Sequence, residues 1–218
     1  SDGSVVAIGA YGNDGNGNKS GHVRLFQNDF IAPTVSGVTS STSNGTYKAG
    51  DIINLAIAFS KSVNVVTTAG TPTLELETGS TNRTAIYASG SGSSTLVFSY
   101  TVQAGDTSSY LDYTSTSALA LNSGTIKDAE GNNATLTLAS PGGSGSLAAN
   151  QALVIDGVAP TMTGPASNTG TNSTKSLNEN NTAVHTFEAN ETVTWSISGG
   201  DDSAQFSINS STGALSFS

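Results

Sequence analysis

Asp51-Ile52-Ile53-Asn54-Leu55-Ala56-Ile57-Ala58-Phe59 sets large apolar side chains at Ile53, Leu55, Ile57 and Phe59, every second position. A period of two is that of an extended strand, whose successive side chains point to opposite faces, so this segment reads as a strand with one buried face. The same alternation returns through Leu74 and Leu76, and through Leu96, Phe98, Tyr100 and Val102. Residues 84–88, 134–138 and 151–155 fit further strands, and the connections between them are rich in Gly, Ser and Asn. About seven short strands with such turns are the pattern of a sandwich, so the fold expected is an all-β, Ig-like Greek-key β-sandwich.

The composition agrees. Of the 218 residues, 35% are hydrophobic and 11% charged. The balance is largely Gly, Ser, Thr and Asn, which favour turns and exposed strand faces over helix interiors. The formal net charge of −9 supplies none of the basic surface that drives nucleic-acid binding, so nucleic acid is not expected as a partner. Acidic oxygen donors do suit a divalent cation such as calcium. The lack of cysteine removes a disulfide framework, a thiolate nucleophile and Cys-based metal sites. Abundant Ser, Thr and Asn with few Lys suit an extracellular setting. No apolar run approaches the roughly 20 residues of a bilayer-spanning helix, so no transmembrane segment is expected. The first residues lack the charged and apolar regions of a signal peptide, and they read as a cut inside a longer chain.

Ile31-Ala32-Pro33-Thr34-Val35-Ser36-Gly37 returns as Val158-Ala159-Pro160-Thr161-Met162-Thr163-Gly164, the prolines standing 127 residues apart. Proline fixes its own φ and holds the preceding residue extended, so each copy reads as a linker leading into a first strand. Domains are therefore expected at 1–31, 32–158 and 159–218. Residues 89–94 and 140–146 are Gly/Ser-rich and read as a hairpin tip and a surface loop. The first segment offers strands at 5–10 and 22–26 joined by the loop 11–21; the last offers strands at 183–188, 192–196 and 204–217. With about 60 residues or fewer each, both read as partial β domains.

Several fragments, taken as an ordered set, resemble the repeated Ig-like module of giant bacterial adhesins: Gly45-Thr46-Tyr47-Lys48-Ala49-Gly50-Asp51, Gly70-Thr71-Pro72-Thr73-Leu74, Leu111-Asp112-Tyr113, Gly124-Thr125-Ile126-Lys127-Asp128-Ala129-Glu130-Gly131-Asn132 and Leu153-Val154-Ile155-Asp156-Gly157. The opening Asp2-Gly3-Ser4-Val5-Val6-Ala7-Ile8-Gly9-Ala10, with Ser20-Gly21-His22-Val23-Arg24-Leu25, is similar to half of an FG-GAP-like repeat. Phe206-Ser207-Ile208-Asn209 and Ser211-Thr212-Gly213-Ala214-Leu215 resemble the start of a cadherin-like domain. The resemblance implies a secreted or cell-surface location, neighbouring modules of the same polypeptide as partners, and calcium at the joints, for which Asp156 and Glu179 could serve, with Asp112 or Asp106 from a nearby loop.

Asp128, Glu130 and Asn132 place oxygen-bearing side chains at alternate positions around Gly131, a spacing from which a loop can wrap calcium or simply turn. Asp14-Gly15-Asn16-Gly17-Asn18 mimics the first half of a calcium loop but reads better as a glycine-rich hairpin. Catalysis finds little support. His22 and His185 sit in alternating patterns without a neighbouring nucleophile, and Glu75 and Glu77 alternate with Leu74 and Leu76 as a solvent-facing pair. Trp195, the only tryptophan, is expected in a core with Phe187 and Phe206, the other reading being a sugar-stacking platform. The acceptor triplets at Asn44, Asn82 and Asn133 are what so Asn- and Thr-rich a chain produces by chance. The function expected is a non-catalytic spacer of a surface adhesin, possible ligands being cell surfaces or glycans. Its alternatives are a filament or surface-layer subunit built from identical chains by strand complementation, and a carbohydrate-binding accessory module.

Overall fold

A computed structural model describes residues 5–10, 22–27, 30–164 and 174–218, the first two stretches by their backbone alone. It is almost entirely β, with several antiparallel sheets of a sandwich-type fold. The chain divides into two compact units, residues 1–158 and 159–218.

The first unit opens with β1 (Val5–Ala10) and β2 (His22–Gln27), an antiparallel ribbon in which Val5 faces Gln27 and Ala10 faces His22. The connection between them, including Asp14 to Asn18, lies outside the described residues. The main body follows as β3 (Val35–Ser40), β4 (Gly45–Tyr47), β5 (Ile52–Val66), β6 (Thr73–Glu77), β7 (Arg83–Ser89), β8 (Ser93–Thr101), β9 (Thr107–Ser108), β10 (Asp112–Tyr113), β11 (Leu119–Ala120), β12 (Thr125–Lys127), the single-turn helix α1 (Leu147–Asn150) and β13 (Leu153–Asp156). The large sheet runs β10-β6-β7-β8-β5-β12, with β11 also on β6 and β3 also on β5. The small sheet is β4-β13-β9.

β5 organises the core. Ile53, Leu55 and Ile57 are fully buried, whereas Ile52 beside them is 58% exposed, as a period of two demands. On β8, Tyr100, Phe98 and Leu96 stand opposite those three residues, so large apolar groups meet in cross-strand pairs. An irregularity between Ala58 and Val63 breaks the β5–β8 ladder, and the far end of β5 goes on to pair with β12. Leu74, Leu76, Leu111, Leu147, Leu153 and Ile155 belong to the same core.

Residues 134–138 are not a strand. Only an isolated parallel bridge, Thr135 with Thr34, and single backbone bonds such as Leu138 N–H to Thr116 C=O hold them. Residues 89–94 do cap the β7–β8 hairpin, while 140–146 lead into α1, where the Ser146 hydroxyl accepts from the Ala149 N–H and Leu147 plugs the core.

The second unit holds β14 (Met162–Thr163), β15 (Ala183–Thr186), β16 (Glu188–Ala189), β17 (Phe206–Ile208) and β18 (Ala214–Phe217), paired as β14-β16 and β15-β18-β17. The expected strand at 192–196 does not form, although the Trp195 N–H donates to the Ser210 carbonyl. Gly213 has a φ of 71°, and a Cβ there would lie 2.6 Å from the Phe187 carbonyl oxygen and 2.9 Å from the indole. Only glycine lets that turn lie against Trp195.

Candidate functional site

The candidate carboxylates that are buried, Asp128, Asp106 and Asp112, are held by hydrogen bonds as structural clamps. Asp128 follows β12, and its side chain is 1% exposed. Its Oδ1 accepts from the Asn132 N–H at 2.8 Å and its Oδ2 from the Asn132 amide at 2.9 Å, closing the loop through Gly131. Lys61 of β5 lies 3.6 Å from Oδ2, and its ammonium also donates to the Ile31 carbonyl. Burial raises the Asp128 pKa, but the Asn132 hydrogen bonds and the Lys61 charge outweigh it and hold the carboxyl below its ordinary value. Calcium takes six to eight oxygen ligands. Here the one buried carboxylate meets N–H donors and an ammonium, while Glu130 faces solvent.

Asp106 is the second clamp. Its Oδ1 accepts from Arg83 Nε at 2.8 Å, and its Oδ2 from the Tyr100 hydroxyl at 2.7 Å and the Gln103 N–H at 2.8 Å. Burial pushes its pKa up; the bonds from Tyr100, Arg83 and Gln103 more than reverse this. The Tyr100 phenol is pushed far up, first by burial and then by its bond to Asp106. The same turn fixes the end of the sandwich: the Gly157 N–H donates to the Asp106 carbonyl and the Gly105 N–H to the Gly157 carbonyl. A Cβ on Gly157 would stand 2.3 Å from the Gln103 oxygen.

Asp112 is buried, its oxygens accepting from Gly142 N–H at 2.8 Å and Tyr113 N–H at 2.9 Å. Burial, then the Asp112 charge, raises the Tyr113 phenol to about 12. Asp156 is half-buried, its Oδ1 3.4 Å from the Val158 N–H, and shares an open polar groove with Glu77. Glu179 is exposed in the second unit. Among the described residues no three His, Asp or Glu gather as a metal-ligand set, and every buried side-chain nitrogen or oxygen has a hydrogen-bond partner.

Glu75 and Glu77 are both exposed, Glu75 accepting from the Thr114 hydroxyl at 2.6 Å. His185 packs edge-on against Phe187 at 5.0 Å, and Phe187 stacks on Trp195 at 5.8 Å. Trp195 is half-buried and lines a cleft of about 530 Å³. Spacing pointed to neither the Asp106 clamp nor Lys61: Arg83 stands 23 residues from Asp106 in the chain. The one local signal of the Asp106 clamp is a Gly-Asp turn at Gly105-Asp106.

No protein-family model matches the chain, and no curated protein or solved structure is significantly similar to it. Among the described residues no helix is long and apolar enough to cross a membrane.

Proposed function

We propose that the chain is a non-catalytic extracellular module, a tandem Ig-like spacer of a bacterial surface adhesin whose partners are its neighbouring modules. The observation that carries this reading is the way the sandwich holds its own two ends. At one end the Pro33 carbonyl accepts from Thr135, Thr34 and Ser60 bond to each other, and Lys61 reaches the Ile31 carbonyl. At the other, β13 lies parallel to β4 and antiparallel to β9, and Gly157 is locked to the Asp106 turn. A pull on the amino end reaches β3 and its β5 ladder first; passed on to β4, it acts opposite to the pull on β13 along parallel strands, so the hydrogen bonds of that pair load together in shear. That arrangement suits a module standing in a row under tension.

Calcium belongs to the proposal, with Asp156 of the first unit and Glu179 of the second as carboxylates open to it. The decisive experiment is single-molecule stretching. A distinct unfolding peak, lowered when β13 is weakened by Val154→Pro, supports the spacer. Unfolding at low force without a peak, in chains that fold by circular dichroism, removes it.

The open edges of the three-stranded sheet in the second unit favour a second reading, a filament or surface-layer subunit completed by a strand from an identical chain. Sedimentation decides between them: monomers at all concentrations exclude it.

A further inference from the structure

The cleft of the second unit is walled by Phe187, Trp195, Ile197, Phe206, Ile208 and Leu215. At about 530 Å³ it falls within the roughly 300–1,000 Å³ of ligand-sized clefts. Asp201 and Asp202, both exposed, stand in its lining. A second hollow of about 340 Å³ touches the same Phe187 and Trp195 and carries Glu188 and Glu191. Residues 159–218 hold one lysine, Lys175, against the five carboxylates Glu179, Glu188, Glu191, Asp201 and Asp202. Phe206 and Ile208 belong to β17, an edge of its sheet.

We propose that this cleft binds an extended peptide of a partner protein, added along β17, in which lysine or arginine alternates with large apolar residues. Each part of that chemistry answers a feature of the site. The open side of β17 offers main-chain hydrogen bonds to an added strand, and alternate side chains of such a strand reach one face. Apolar groups cover the half-exposed rings, and the cation meets Asp201 and Asp202 or lies over the Trp195 face. A glycan fits less well, because Ile197, Ile208 and Leu215 would bury hydroxyls without hydrogen-bond partners. The inference uses the second unit alone and does not depend on the spacer reading.

Trp195, the sole tryptophan, reports on the cleft by its emission. The whole chain is titrated with a blocked hexapeptide alternating lysine with valine and phenylalanine, with the same peptide carrying glutamate for lysine, and with a chitin oligosaccharide. The expected result is a saturable emission change with the lysine peptide only, weakened about tenfold in the Asp201→Asn, Asp202→Asn double variant and by added salt. These two side chains are exposed, and an unchanged circular-dichroism spectrum verifies the fold of the variant. Equal response to both peptides, response to neither, or indifference to the double substitution overturns the proposal. So does saturation by the oligosaccharide, which would make the site glycan-binding, or an emission change on concentration alone with dimers in sedimentation, which would make the occupant a second copy.

Discussion

Asp106 gathers an arginine, a tyrosine and a backbone N–H onto one carboxylate that is 1% exposed. Replacing it with alanine strands the Tyr100 hydroxyl in the core and frees Arg83, and should cost about 3 kcal/mol in urea unfolding. The pH dependence has a defined sign. Asp106 and Asp128 both titrate below their ordinary 3.8 in the fold, so their contribution is fully present above that value and is lost as pH falls through the lower folded values. The melting midpoint should hold steady from pH 7 to about 5 and fall below about 4, with a smaller fall in Asp106→Asn. Little of this was legible in the sequence. The spacing of Asp128, Glu130 and Asn132 is shared by calcium loops and by turns that close on themselves; the Lys61 ammonium beside Asp128 has no signal in that spacing, because only the β5–β12 pairing brings it there.

Strands with several alternating residues announce themselves, because each extra turn of the pattern multiplies the apolar surface that one face can bury. β5, β6 and β8 are legible in that way, while β7 and β13 are legible as short runs between Gly-, Ser- and Asn-rich connections. Two- and three-residue strands such as β4, β9 and β11 carry no period to read, and they exist because neighbours already in place offer them a ladder. Residues 134–138 alternate well but meet only single partners, so pattern without a continuous neighbour gives bridges. The small sheet makes its own prediction. Val154→Pro, in the strand between β4 and β9, removes a ladder donor and should cost about 3 kcal/mol or more in denaturant unfolding, in addition to lowering the rupture force. Gly157→Ala drives a methyl into the Gln103 carbonyl and should cost about 1–3 kcal/mol, read by the same unfolding curve.

The two units invite different tests at the scale of the molecule. If calcium binds the folded chain it should raise the melting midpoint over that in chelator, and Asp156→Asn and Glu179→Gln, made singly and together, should reduce the difference. An equal midpoint with and without calcium would remove the cation from the proposal while leaving the clamps untouched. The pairing of β4 with β13 has a further consequence in time. Asn44 and Ala152, joined by a hydrogen bond beside that ladder, are 108 residues apart in the chain. Contacts between distant residues form late, because a long loop must close before they reward it. A chain emerging amino end first from a ribosome or a secretion pore therefore cannot close this small sheet until its last strand is out. The local hairpins of the large sheet can pair earlier, and the small sheet is sealed by residues 153–156, the last strand of the first unit.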